Sequence, residues 1–330
     1  MSPRVSVIVP IYNGESDLPE LINCLQDQSY SPELLELLLV DNLSSDATAT
    51  IIKSIASSRV YRGPRISYLT QRLRSSYAAR NTGIRAAKGE ILVFTDVDCR
   101  PQRDWVEHLI EALSDPAIGI VAGNIGSLEP GLTFIEKYSC RRKMLSQEFT
   151  LDNNYYPYGQ TANIAVRREV FEEIGMFRPW LRSGGDADLC WRMLNESPWR
   201  LAYTRNKPTV LHRHRRTLSG LIAQFERYGG ASVYLESLHG HGLESSCQKP
   251  WRRLARWLIK ELPKEFLAML SGERDLVDLC ATPLDIARDC AFARGQEKAS
   301  FEENMRIIEH LDNSSRSGAN ACGANSTFGI

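Results

Sequence analysis

The chain has 330 residues, 43% hydrophobic and 24% charged, with a formal net charge of zero. That length buries a full domain core and leaves room for a helical appendage. A neutral chain lacks the positive field that draws nucleic acid, so nucleic acid is not an expected partner.

Val5 to Pro10, apolar but for Ser6, has the pattern of a strand buried on both faces. It ends in Tyr12-Asn13-Gly14, and a helix is expected from Glu15 to Gln28 with Leu18, Leu21, Ile22 and Leu25 on its inner face. Leu35 to Val40 repeats the strand pattern and ends in Asp41-Asn42, with Ser44 to Asp46 capping a helix through Ile55. A strand near Ile66 to Leu69 and a helix from Ser75 to Ala87 follow. Ile91 to Phe94 is the next strand, closed by Thr95-Asp96-Val97-Asp98. The order β-α-β-α-β-α-β predicts a mostly parallel sheet with helices on both faces. The polar residues collect just after each strand, at the edge where open α/β sheets bind ligands. A dinucleotide site of the Gly-x-Gly-x-x-Gly kind is excluded, because the first turn carries one glycine.

Asp96 and Asp98, one residue apart on an extended chain, are expected to point the same way. Two such carboxylates favour a hard cation, Mg²⁺ or Mn²⁺, that completes its shell with phosphate oxygens. The plainer reading is that Asp-x-Asp caps the next helix.

Further along, a helix from Trp105 to Leu113, a strand from Ile118 to Ala122, a helix from Phe134 to Glu148, a loop from Leu151 to Gly159 and a strand from Thr161 to Val166 are expected. Ser183-Gly184-Gly185 turns sharply into Asp186-Ala187-Asp188, giving two candidate catalytic acids at a helix entry. Asp186 is the expected general base. Asp188, about 200° further around the helix, is assigned to orienting Arg192 or the turn. Thr209 to His212 is a short strand, and the helix from Leu218 to Tyr234 carries Gln224, Arg227 and Tyr228, with Arg227 placed to meet a phosphate.

Trp251 to Leu270 is expected to be helical, with Trp251, Leu254, Leu258 and Leu262 along one side and Arg252, Arg253, Arg256, Lys260 and Lys264 as a basic surface. Two readings of Trp251 to Lys264 stay open: peripheral contact with an anionic membrane, or packing on the catalytic domain with a solvated basic face. Asp275 to Ala293 and Ser300 to Leu311 read as two more helices, and 313–330 as a disordered tail. The expected division is a catalytic domain over 1–238, a helical extension over 239–312 and the tail. Eight cysteines, at 24, 99, 140, 190, 247, 280, 290 and 322, form no Cys-x-x-Cys pair and read as reduced thiols. No apolar stretch reaches membrane-spanning length, and Met1 to Val5 leads directly into a strand. The expected location is therefore cytoplasmic, with any membrane contact peripheral.

Taken in order, Val5 to Asn13, Val40 to Asp46, Ala79 to Gly83, Ala87 to Gly89, Thr95 to Asp98, Thr161 to Asn163, Gly185 to Leu189, His212 and Gln224 to Tyr228 resemble the inverting family-2 nucleotide-sugar glycosyltransferases of the GT-A fold. The match runs over about residues 4 to 235. The resemblance implies that Pro10, Tyr12, Asn13 and Asp41 hold base and ribose, with Arg80 and Asn81 nearby. It implies that Asp98 is the direct metal ligand of the Asp-x-Asp pair with Asp96, that His212 is a further ligand, and that Asp186 is the catalytic base. Gln224, Arg227 and Tyr228 are similar to a Gln-x-x-Arg-Trp motif, with tyrosine in place of tryptophan. The implied partners are a nucleoside-diphosphate sugar, Mn²⁺ or Mg²⁺, and a glycan or lipid-linked acceptor. Two other classes stay open, a nucleotidyltransferase and a non-catalytic nucleotide-sugar binder. A glycoside hydrolase is a poor fit, because its two carboxyls must flank a bond at about 5–9.5 Å.

Overall fold

The computed structural model describes residues 2–58, 63–128, 133–152, 157–205, 209–240 and 250–311. The expected tail over 313–330 lies outside the described residues. The strands are β1 (Val5–Ile11), β2 (Leu35–Asp41), β3 (Arg65–Thr70), β4 (Ile91–Phe94), β5 (Cys99–Pro101), β6 (Ile118–Gly123), β7 (Ile125–Ser127), β8 (Ile164–Arg167), β9 (Arg200–Thr204) and β10 (Val210–His212). The helices are α1 (Leu18–Gln26), α2 (Thr48–Ala56), α3 (Ser76–Ala86), α4 (Trp105–Ala112), α5 (Phe134–Arg141), α6 (Gln147–Leu151), α7 (Arg168–Ile174), α8 (Gly185–Glu196), α9 (Leu218–His239), α10 (Pro250–Arg256), α11 (Leu262–Leu270), α12 (Leu276–Leu279) and α13 (Ala281–Lys298).

A seven-stranded sheet runs β3-β2-β1-β4-β8-β6-β9. The four strands β3, β2, β1 and β4 pair in parallel, as the alternating pattern requires. All seven residues of β1 are buried, because helices cover both faces of the sheet. Leu18, Leu21 and Leu25 of α1 and Trp105 and Leu109 of α4 close one face. Ile84 of α3, Phe171 of α7 and Leu189 and Met193 of α8 close the other. Each such side chain contributes about 1.5–3 kcal/mol relative to an exposed position, so the apolar stripes of these helices fix their placement.

β8 inserts antiparallel between β4 and β6. A second sheet of three very short strands, β5-β10-β7, stands at the carboxyl edge of the first.

The helix expected from Phe134 to Glu148 breaks after Arg141. Lys143 and Leu145 take left-handed backbone angles (φ 47° and 67°), which a helix cannot continue through. The break lets Gln147, fully buried at the start of α6, hydrogen-bond the carbonyl oxygens of Gln160 and Asn163.

The helix expected over Ser300 to Leu311 is absent. That stretch holds one 3₁₀ turn, Glu303–Arg306. Beyond it the backbone serves the catalytic half: the Glu309 carbonyl accepts from Met176 N at 2.7 Å, and the Glu309 carboxylate meets Arg85. Met305 is buried in the α7–α8 core. Tertiary partners thus override local helix preference.

α13 crosses α9 at very close range. A Cβ on Gly295 would lie 2.0 Å from the Glu226 carbonyl oxygen, and one on Gly229 would lie 1.9 Å from that of Phe292. Only glycine on both helices allows this approach. Gly295→Ala is expected to force the helices apart and lower stability by about 1–3 kcal/mol, the usual range for overpacking. Thermal unfolding checks this, and an unchanged melting temperature would overturn it.

Candidate active site

The carboxyl ends of β1, β2 and β3 frame a crevice of about 530 Å³, lined by Pro10, Tyr12, Asn42, Arg74, Ser75 and Arg182 among others. Two loops are tied together at its floor. Asn13, at φ 50°, donates its N–H to Ser44 Oγ and accepts from Ser45 N, each at 2.9 Å. Asp41 accepts from Ser44 N at 3.0 Å and from the Tyr68 hydroxyl at 3.2 Å. Pro10 and Tyr12 line the crevice, whereas Asn13 and the buried Asp41 brace the loops behind it. Tyr12 is 43% exposed, and the Arg74 guanidinium lies 4.3 Å from its ring centre. Arg74 and Arg182 belong to no recognised motif. The only sequence signal for Arg74 is its place just before Ser75, the residue that caps α3.

Asn81 is not at the crevice. It is fully buried, donates to the Phe177 carbonyl and the Glu309 carboxylate, and accepts from Phe177 N. Its position on α3 turns it toward the 177 loop, so its amide holds that loop and the C-terminal segment. Arg80, one residue earlier, is also buried and reaches Asp96 Oδ1 at 2.5 Å.

The Asp96-Val97-Asp98 stretch is a turn. β4 stops at Phe94, and Cys99 N donates to the Asp96 carbonyl at 3.1 Å. The two carboxylates consequently do not share a direction, which corrects the expectation from strand alternation. Asp96 faces Arg80. Asp98 faces His212, whose Nε2 lies 3.4 Å from Asp98 Oδ1. The second sheet makes this meeting: β10 runs antiparallel to β5 with His212 opposite Cys99, and Arg213 N donates to the Asp98 carbonyl at 2.9 Å.

Asp98, Cys99 and His212 offer ligand atoms within 4.8 Å of one another. Burial pushes the Cys99 thiol well above its usual range, with the charges of Asp98 and Asp96 adding to the effect. It stays protonated and is a weak donor. A carboxylate oxygen and an imidazole nitrogen remain, a set that suits Mn²⁺ or Mg²⁺ with positions left for phosphate oxygens. His212 is buried, and its Nδ1 finds no partner among the described residues. The residues present thus fit a divalent cation. Asp96, occupied by Arg80, is not part of this group.

α8 begins at Gly184, whose φ of 80° makes the turn, and Gly185, where a Cβ would stand 2.8 Å from the Tyr77 ring. The space left by Gly185 brings the Tyr77 hydroxyl to 3.4 Å from Asp186 Oδ1, which also accepts from Ala187 N at 3.2 Å. Burial pushes the Asp186 carboxyl above the usual range, while the Arg80 charge and backbone N–H groups offset part of that. Tyr77 was not singled out from the sequence.

Asp188 points into the core. It is fully buried, with Arg178 at 2.9 Å, Arg192 at 3.0 Å and His239 at 3.0 Å. The expected link to Arg192 is present, and the crevice is out of its reach. Burial would raise its pKa, but the His239 hydrogen bond and the charges of Arg192 and Arg178 outweigh it and hold the carboxyl at about 2.

On α9, Gln224 Nε2 donates to the Tyr228 hydroxyl at 2.7 Å. Burial raises the Tyr228 pKa, and the Asp186 charge adds to the shift. The Gln-x-x-Arg-Tyr turn thus faces the α8 entry. The Arg227 guanidinium has no acidic partner among the described residues; enclosure and the neighbouring Arg215 charge both lower its pKa. An excess of unpaired positive charge beside a crevice suits an anionic ligand.

Comparison with known proteins agrees with this geometry. The description "Glycosyl transferase family 2" matches residues 6–175, just over half of the chain. Glycosyltransferase AglE of Haloferax volcanii is 36% identical over 185 residues, covering 56% of this chain and 59% of AglE. The pre-mycofactocin glycosyltransferase of Mycobacterium tuberculosis is 30% identical over 243 residues, covering 71% of this chain and 48% of the relative. The chain therefore spans about half the length of these relatives. Among solved structures, the mannosyltransferase PcManGT of Pyrobaculum calidifontis, in complex with GDP-Man and Mn²⁺, superposes with a TM-score of 0.60 at 21% identity over 90% of this chain and 88% of that one. Glucosyl-3-phosphoglycerate synthase of Mycobacterium tuberculosis gives 0.52 at 20% identity over 74% and 83%. These likenesses show the GT-A fold, and the family match covers the crevice, the Asp-x-Asp turn and α3: the chain belongs to glycosyl transferase family 2.

Proposed function

We propose that the chain transfers a sugar from a nucleoside-diphosphate sugar to a hydroxyl of a glycan or lipid-linked acceptor, using Mn²⁺ or Mg²⁺ and inverting the anomeric carbon. The observation that carries this reading is Arg80. It binds Asp96 beside the Asp98–His212 pair, and its charge is the main influence opposing the burial of Asp186. Arg80 thereby links the candidate leaving-group side to the candidate base.

Asp98 and His212 would hold the cation, which when bound screens charge developing on the departing diphosphate. The chain's own residues supply the rest. Arg227, and Arg74 at the crevice wall, would meet phosphate oxygens. The acceptor oxygen attacks the anomeric carbon and its proton passes to Asp186. The bond between that carbon and the diphosphate oxygen breaks, and the nucleoside diphosphate leaves. A single displacement of this kind inverts the configuration. The named relatives are both glycosyltransferases, and the mannosyltransferase structure holds GDP-Man, which supports a nucleoside-diphosphate sugar donor.

Incubation with nucleotide-sugars and Mn²⁺ is expected to release nucleoside diphosphate. Formation of nucleoside triphosphate and sugar 1-phosphate when pyrophosphate is added would instead indicate a nucleotidyltransferase, and binding without turnover a non-catalytic binder. Chelation is expected to abolish transfer, and Mn²⁺ or Mg²⁺ to restore it. Asp98→Ala should lower transfer at least ~100-fold, since changes to outer-shell residues alone cost ~10–100-fold. Full activity of that variant in chelator would overturn the metal role.

A further inference from the structure

We infer that the helix α10–α11 is a docking surface for an anionic lipid membrane, an inference that stands whether or not the catalytic reading does. From Pro250 to Leu270 the chain forms one helical rod, joined through a π turn at Trp257–Glu261. No residue of this rod is buried. A helix gains most of its stability by burying an apolar face; in this apolar-rich rod Trp257, Leu262 and Met269 are only half-buried, and much of the remaining apolar surface is uncovered. Ile259 is 74% exposed, Leu267 66% and Leu270 67%, and Trp251 and Phe266 are exposed beside them.

The inner side of the rod is accounted for by the protein. Arg253 pairs with Asp289 of α13 at 2.7 Å, and Glu261 accepts from Thr282 at 3.1 Å. The outer side mixes the exposed apolar residues with Arg252, Arg256, Lys260 and Lys264, which are exposed and have no acidic partner among the described residues. Exposed apolar groups interleaved with free basic ones are the composition that lies in the headgroup region of an anionic bilayer. A protein partner would need an acidic and apolar groove of matching length; a lipid surface needs only area and charge. Among the described residues no helix is long and apolar enough to cross a membrane, so the contact is interfacial. α10 and α9 both pack against α13.

The test is flotation of the full chain with vesicles of phosphatidylcholine alone and of phosphatidylcholine with phosphatidylglycerol, at low and physiological salt. Binding to the anionic vesicles is expected, weakening as salt rises. Each basic residue near an anionic surface strengthens binding about fivefold, so Arg252→Gln, Arg256→Gln, Lys260→Gln and Lys264→Gln together should cut it by roughly 600-fold. Ile259→Ser, Leu267→Ser and Leu270→Ser together should abolish it while leaving the melting temperature and nucleotide binding unchanged. No binding to anionic vesicles at either salt, equal binding to the neutral ones, or undiminished binding by both variants would overturn the inference. A soluble dimer of the wild type that the apolar variant dissociates would overturn it too, by assigning the face to a second copy.

Discussion

Asp186→Asn is expected to lose ~10²–10⁴-fold in transfer rate, the usual cost of removing a positioned base, with near-native affinity for nucleotide. Asparagine keeps an oxygen for the Tyr77 hydroxyl and Ala187 N, so the entry to α8 should survive and the loss report the proton transfer alone. The pH profile gives an independent readout. The base works deprotonated, and burial raises its pKa above the ordinary carboxylate value. The acid limb of kcat/KM should therefore lie above the usual carboxylate range, with the rate climbing as pH rises through it. Arg80→Gln removes the charge that opposes burial and should move the limb higher still. Full turnover by a folded Asp186→Asn enzyme would reject the assignment, as would a limb that does not respond to Arg80.

Much of this site is legible in the sequence because its framework rests on long apolar runs. The first, second and fourth strands are apolar within except at Ser6 and Glu36, and the polar residues behind them have nowhere to go but one edge. What escapes is built from pieces too short to carry a period. β5, β7 and β10 have three residues each, yet their sheet decides that Asp98 meets His212. A turn starting at Asp96 is enough to undo the alternation that would have aligned the two carboxylates. Asn81 sits inside a family block and still faces the core, because a helix presents successive residues about 100° apart and Arg80 takes the inward direction toward the site. Arg74, Arg182 and Tyr77 act through tertiary placement, which no local pattern encodes. The same holds for the segment after Ser300, whose helix-compatible residues are drawn into extended contact with Met176 and Asn81.

Asp188→Asn should lower stability by about 3–5 kcal/mol, the usual consequence of removing one partner from a buried ionic cluster. Among the described residues the carboxylate is the acid paired with Arg178 and Arg192, and His239 also lies within hydrogen-bonding distance of it. Asparagine takes that counter-charge from the buried Arg192 and the partly buried Arg178. His239 is the last residue of α9, so the cluster also fastens the helix carrying Gln224 and Arg227 to α8. The linkage has a definite sign. With the folded pKa held at about 2 against an ordinary 3.8, the ionised group contributes stability that is full above the unfolded value. That stability is lost as pH falls from about 4 through about 2, and amounts to roughly 2 kcal/mol. Wild type should thus lose melting temperature over that window, and Asp188→Asn, already lower at neutral pH, should lose correspondingly less. The fall at neutral pH should be on the order of 10 °C, with turnover per folded molecule reduced far less than in Asp186→Asn. Wild-type thermal stability in Asp188→Asn would contradict the structural role, and a folded, stable but inactive variant would transfer the catalytic role to Asp188.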